Sequence, residues 1–303
     1  MKPSTLYQLL RSLRPHQWTK NILLFAGLIF SMHFDMPGLF LRALEGFALF
    51  CMISGSIYVF NDLKDLEQDR EHPRKKYRPL ASGKVTPHQA IILASVLSTV
   101  GLVASFSLSV PFGYVTLTYF IITILYSQYF KYVVIVDILA LALGFVLRAV
   151  AGVLVIRISE GPIIPMTPWF VICVFFLALF IAMCKRRHEL LFIQKAELHR
   201  RVLAEYSQSF LDQMIAICTS GAIFSYVLYL LAISNHNGEQ DLKMLLTLPF
   251  VLYGIFRYLY LVYRCEAGGE PDKEVLRDKP LLINTVLWLA LSLALLKSPL
   301  ILN

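Results

Sequence analysis

The sequence predicts an all-α fold: a polytopic membrane protein built as a bundle of nine transmembrane helices. Three observations carry this. The chain of 303 residues is 57% hydrophobic and only 16% charged, well below the roughly 25% charged residues of soluble domains. Nine apolar runs, each of about 17 to 25 residues, are long enough to cross a hydrocarbon layer of about 30 Å. The cations gather outside them, with 22 of the 28 Lys and Arg lying before or at the mouth of the first run or in the loops after the second, fourth, sixth and eighth. Runs this long and apolar all round exclude strands, because in lipid a lone segment satisfies its own backbone only as a helix.

The whole chain, 1–303, reads as one integral-membrane domain. At its start Leu6, Leu9, Leu10 and Leu13 form a helical stripe beside Arg11 and Arg14, stopped at Pro15, so residues 1–17 are expected to lie on the membrane surface. A signal peptide is not expected, since the first long apolar run begins only after RPHQWTKN. Trp18 reads as an interfacial belt residue, with Lys20 and Asn21 at the mouth of the first span. The spans are placed near Trp18 to Phe34, Gly38 to Phe60, Gln89 to Val110, Gly113 to Phe130, Val133 to Ile156, Pro168 to Cys184, Phe210 to Ser234, Leu245 to Tyr263 and Leu281 to Ile301. The bias of cations puts loops 61–88, 185–207 and 264–280 in the cytoplasm and the C-terminus outside.

In a soluble chain a net charge of +8 would suggest nucleic acid. Here the cations flank spans, which favours topology control and phosphate binding and gives no nucleic-acid partner. Cys51, Cys173, Cys184, Cys218 and Cys265 form no CxxC pair, so neither a disulfide framework nor a zinc site is expected.

Candidate chemistry concentrates in NDLKDLEQDREHPRKKYRPLASGK at 61–84. Asp62, Asp65 and Asp69 fall at i, i+3 and i+7, on one side of the preceding helix if it continues. Their repulsion is relieved by a divalent cation, Mg²⁺ above all, which takes a few carboxylates and fills its shell with water and phosphate. Arg70, Arg74, Lys75, Lys76, Arg78 and Lys84 follow, a strip suited to the remaining oxygens of a diphosphate. Arg148 lies mid-span in the fifth run, eleven residues after Asp137 and nearly on its face, and is expected to face a cavity. Asn61 and Tyr58 at the end of the second span, with Tyr126 and Lys131 at the end of the fourth, share one cytoplasmic depth and could line one chamber. In the loop after the sixth span, Glu189 follows Lys185 at i+4, a spacing that fits a surface ion pair as well as a site role; His188 and His199 read as solvated.

NDLKDLEQD resembles the NDxxDxxxD motif of the UbiA superfamily of intramembrane prenyltransferases, which have nine helices and a cytoplasm-facing pocket. RPHQWTKN at 14–21, the extension through HPRKKYRPLASG, YSQYFK at 126–131 and KRRHEL at 185–190 are most similar to its decaprenyl-phosphate phosphoribosyltransferase branch. The basic KRRHEL loop stands where aromatic prenyltransferases carry a second acidic motif. The resemblance implies a Mg²⁺-dependent enzyme of a bacterial cytoplasmic membrane, transferring 5-phosphoribosyl from phosphoribosyl diphosphate to a polyprenyl phosphate, with its active site facing the cytoplasm. Asn61, Asp62, Asp65 and Asp69 would hold the metal and the three aspartates act in catalysis. Lys75, Arg78, Lys185, Arg186 and Glu189, with Lys20, Asn21, Tyr126, Lys131 and Arg148, would bind substrate. Two alternatives stand beside this: a prenyl-diphosphate-dependent transferase with an aromatic acceptor, and a lipid or ion transporter working through Asp137 and Arg148.

Overall fold

Among the described residues of the computed structural model, eight helices are long and apolar enough to cross a membrane: Pro37–Lys64, Pro87–Leu108, Val110–Gln128, Val136–Ile156, Pro168–Phe192, Gln208–Ala232, Leu242–Arg264 and Lys279–Leu296. They coincide with the predicted spans from the second to the ninth. The structure describes residues 5–30, 36–73, 75–157, 166–192, 201–232 and 242–297. Arg74, Glu197 and His199 lie outside the described residues, so the basic strip and the loop after the sixth predicted span are described without them.

The first predicted span takes another form. Residues Pro15–Leu24 are a 3₁₀ helix, followed by α-helix Phe25–Phe30; 31–35 lie outside the described residues. Side chains three apart eclipse in a 3₁₀ helix, and Asn21 and Leu24, three apart, are both buried. The tighter winding thus turns one polar and one apolar residue inward along a single row. Helix α1 (Thr5–Ser12), expected on the membrane surface, keeps Leu6 and Leu10 exposed, while Leu13, just past its end, is buried.

Two compact units divide the chain, the first from Met1–Gln128 and Leu147–Ile164, the second from Tyr129–Val146 and Pro165–Asn303. In the first, α3 (Pro37–Lys64) packs along α5 (Pro87–Leu108). A capping box starts α5: the Gln89 amide donates to Thr86 Oγ1 at 3.3 Å and the Thr86 amide to Gln89 Oε1 at 3.0 Å, satisfying two orphan donors at once. At the other end, Arg42 Nη2 donates to the Leu108 carbonyl at 2.7 Å and Nε to the Val155 carbonyl at 3.2 Å, placing a cation where helix carbonyls end. Leu13, Val59, Leu80, Val85, Ala90 and Ala94 form one buried cluster. That cluster fastens the loop after α3 to both helices.

The 3₁₀ segment passes so close to α7 (Val136–Ile156) that a Cβ on Gly152 would stand 1.9 Å from the Leu24 carbonyl oxygen. Backbone cannot yield as a flexible side chain does. Gly152→Ala is therefore expected to cost at least the roughly 1–3 kcal/mol of ordinary overpacking, and thermal unfolding in detergent would show it as a lowered midpoint.

In the second unit, α8 (Pro168–Phe192) pairs with α9 (Gln208–Ala232). Their buried residues, among them Phe180, Met183, Leu211 and Ile215, form one cluster with Ile138, Leu203 and Tyr258. Elsewhere in this unit Trp288 Nε1 donates to Tyr226 Oη at 3.0 Å, and Tyr226 shares a 2.7 Å hydrogen bond with Thr247.

Candidate active site

The acidic segment is a helix with a break. After α3 ends at Lys64, Asp65 (φ −94°, ψ 15°) joins it to α4 (Leu66–Glu71). The break is slight, since the Asp65 amide donates to the Asn61 carbonyl at 3.0 Å and the Asp69 amide to the Asp65 carbonyl at 2.8 Å. Residues seven apart in such a run still share a side. Asp62 and Asp69 are accordingly brought together, 4% and 2% exposed, while Asp65 and Asn61 are half-buried beside them.

Both buried carboxylates turn to one nitrogen. Arg78 Nη1 donates to Asp62 Oδ1 at 3.0 Å and also to Asp69 Oδ2. Arg14 Nη2 donates to the same Asp62 oxygen, and Lys75 Nζ lies 3.7 Å from Asp69 Oδ1. Among the described residues no group of three His, Cys, Asp or Glu side chains stands close enough to hold a metal ion. The donor set nonetheless fits Mg²⁺: two hard oxygens converge on a point a cationic nitrogen already occupies, and this ion commonly takes one or two carboxylates, completing its shell with water and substrate phosphate.

Beside the pair lies a cavity of about 370 Å³, whose lining includes Arg11, Arg14, His16, Asp62, Tyr77 and Arg78. Of these, sequence reasoning singles out only Asp62 and Arg78 as site residues. The first residue of RPHQWTKN was the available signal for Arg14. Its backbone is left-handed (φ 52°, ψ 63°), costing a non-glycine residue about 1–2 kcal/mol, and its guanidinium lies 5.0 Å from the Tyr58 ring centroid.

Deeper in the same unit, Asn21 and Arg148 meet. Arg148, 6% exposed, donates from Nε to Asn21 Oδ1 at 2.8 Å and from Nη2 to Tyr119 Oη at 2.7 Å, with its guanidinium 4.7 Å from the Tyr119 ring centroid. Asn21 Nδ2 in turn donates to Ser54 Oγ at 3.1 Å. Partnered burial of this kind holds an arginine within a span. Lys20 and Tyr126 are half-buried in this unit, and Lys64 Nζ ties α3 to α6 (Val110–Gln128) through the Ser127 carbonyl at 3.0 Å.

The remaining predicted residues belong to the second unit. Arg186, 2% exposed, donates from Nε to Asp137 Oδ2 at 2.9 Å and from Nη1 to Glu189 Oε2 at 2.7 Å. Glu189 thus meets the residue three before it. Tyr206 Oη donates to Asp137 Oδ1 at 2.7 Å and accepts the Ile135 amide at 2.8 Å; burial first, then the bond to Asp137, pushes its phenol pKa well above the ordinary range. Ile135 has φ 68°, an outlier for a β-branched residue, which the Tyr206 bond holds in place. Asp137 and Arg148 therefore share a helix but serve separate clusters. Lys185 is half-buried, and Lys131 Nζ lies 5.1 Å from the Tyr132 ring centroid. His188, expected in solvent, is half-buried with its ring centroid 5.1 Å from that of Phe192.

Long apolar helices and a buried carboxylate–arginine cluster define a polytopic integral membrane protein with a polar site at the end of a span. The chain belongs to the UbiA prenyltransferase family, which matches residues 22–272, and membership makes it a membrane transferase. It is 29% identical over 295 residues to the decaprenyl-phosphate phosphoribosyltransferase of Mycolicibacterium smegmatis, covering 93% of this chain and 90% of that protein. To the enzyme of the same name from Corynebacterium glutamicum it is 30% identical over 287 residues, covering 92% and 84%. The fold resembles that of a UbiA homolog from Archaeoglobus fulgidus bound to GPP and Mg²⁺, with TM-score 0.69, 18% identity and coverage of 96% and 100%.

Proposed function

We propose that the protein transfers 5-phosphoribosyl from 5-phosphoribosyl 1-diphosphate to a polyprenyl phosphate of decaprenyl type, releasing diphosphate at the cytoplasmic face. The observation that carries this is the convergence of Asp62 and Asp69 on one guanidinium nitrogen beside an arginine-lined cavity. The basic KRRHEL loop and the two phosphoribosyltransferase relatives support phosphoribose over prenyl as the transferred group. The relatives' source likewise supports a bacterial cytoplasmic membrane.

Asp62 and Asp69, with Asp65 and Asn61 next to them, would hold Mg²⁺, which when bound neutralises charge on the departing diphosphate. Arg78, Lys75 and Arg14 meet the other phosphate oxygens. An oxygen of the acceptor monophosphate forms its bond to ribose C1 as the C1–O bond to diphosphate breaks, and diphosphate keeps the electron pair. The acceptor is already an anion at neutral pH, so the site has to align and neutralise rather than deprotonate. Arg148, fixed by Asn21 and Tyr119, supplies positive potential in the same unit, and Lys20 is a further cation there for acceptor or donor phosphate. Arg186 serves by anchoring Asp137 and Glu189.

Purified protein given labelled phosphoribosyl diphosphate, a short polyprenyl phosphate and Mg²⁺ is expected to yield labelled lipid, and none with chelator. Prenyl diphosphate with an aromatic acid is expected to yield no product. Product only in the second mixture would replace this reading with aromatic prenyl transfer, and product in neither would overturn both.

A further inference from the structure

We infer that Arg14 is an exchangeable partner of Asp62: it occupies the carboxylate before the metal arrives and turns to the donor's diphosphate afterwards, so that metal and diphosphate bind together. This deepens the proposed function and rests on it only in requiring a diphosphate-bearing donor. Arg14 and Arg78 share Asp62 Oδ1, so a cation coming to that oxygen competes with two guanidinium groups already there. The displaced charges do not leave the site. Arg14 and Arg78 both line the adjoining cavity, where a diphosphate brings the anions they lose. Carboxylate and phosphate oxygens are alternative ligands for the same planar fork.

Arg14 is the residue built to move. It is 22% exposed at its side chain while Asp62 is 5% exposed, so the arginine can swing through solvent and the carboxylate cannot. Its left-handed backbone immediately before Pro15 is held by surrounding contacts, and strain of this kind gathers at binding and switching positions. The Tyr58 ring, one helical turn before Asp62, supplies a parking face for the guanidinium. A ligand pair that each removes the other's competitor is coupled, typically by about 5- to 150-fold.

The test uses Mn²⁺ as the metal, followed by electron paramagnetic resonance, with inorganic pyrophosphate as the anion. In the wild type, Mn²⁺ alone is expected to bind weakly and pyrophosphate to tighten it at least about 10-fold. Arg14→Gln is expected to bind Mn²⁺ alone more tightly than the wild type and to lose most of the tightening by pyrophosphate. Unchanged affinity for Mn²⁺ alone, or unchanged coupling, in this variant overturns the exchange. If Arg14→Gln does not fold, Arg14→Lys carries the test, since an ammonium lacks the fork: reduced coupling supports the proposal and wild-type coupling overturns it. Because pyrophosphate is common to phosphoribosyl and prenyl diphosphates, a wrong donor assignment leaves this outcome unaffected.

Discussion

Asp62→Ala and Asp62→Asn are both expected to lower transfer by about 10²- to 10³-fold, the usual loss when one preorganised charge-stabilising group is removed from an active site. Asp62 accepts from Arg14 and Arg78 through a single oxygen and is 4% exposed, so its charge acts where water screens it little. Asparagine keeps the shape but not the charge. A loss common to both variants therefore reports charge, whereas a loss confined to alanine would report packing. Asp69→Asn should behave alike, since Asp69 meets the same Arg78 nitrogen. The measurement is labelled-lipid formation at saturating acceptor, with thermal unfolding in detergent run alongside. Near wild-type turnover in a folded Asp62→Asn would remove the carboxylate from the mechanism.

The largest stability effect is expected at Asp137. This residue is 0% exposed and receives hydrogen bonds from Arg186 Nε and Tyr206 Oη. Asp137→Leu takes one of two carboxylates from a guanidinium that is 2% exposed, leaving the part-exposed Glu189 as its counter-charge and Tyr206 Oη without its acceptor, a loss that approaches the roughly 3–5 kcal/mol of breaking a buried pair. The unfolding midpoint should fall by roughly 5 to 8 °C on that scale. Adding Arg186→Met should recover much of the loss, since removing both charges is far cheaper than removing one; Glu189, whose side chain is 18% exposed, can then turn to water. A double variant less stable than Asp137→Leu alone would show that the pair is not the source of the effect.

What could be read from the sequence follows from the range of each interaction. Spans from the second to the ninth are visible because a continuous apolar run needs no partner to declare itself. Asp62 and Asp69 are visible as a pair because seven residues return to one side of a helix, and the return survives the break at Asp65. The arginine that unites them is not visible as their partner, because Arg78 reaches them only through the fold of the loop that Leu80 and Val85 pin to α3 and α5. Arg14 lies 48 positions from Asp62 and reads as part of a surface helix. The 3₁₀ form of Pro15–Leu24 escapes a hydropathy reading, since composition alone cannot distinguish inward rows at every third residue from an ordinary helix face. Arg186 shows the same limit of range: the sequence reads it as a cation for phosphate, while its contacts with Asp137, 49 residues away, and with Glu189 appear only in the fold.

The most direct measurement of the central claim is the position of the metal. Crystals or vitrified particles prepared with Mn²⁺ and pyrophosphate are expected to show metal density, anomalous in the crystal case, bound by carboxylate oxygens of Asp62 and Asp69, with Arg78 turned from them to the pyrophosphate. Metal and pyrophosphate bound elsewhere, with Arg78 still joining the two aspartates, would contradict the account.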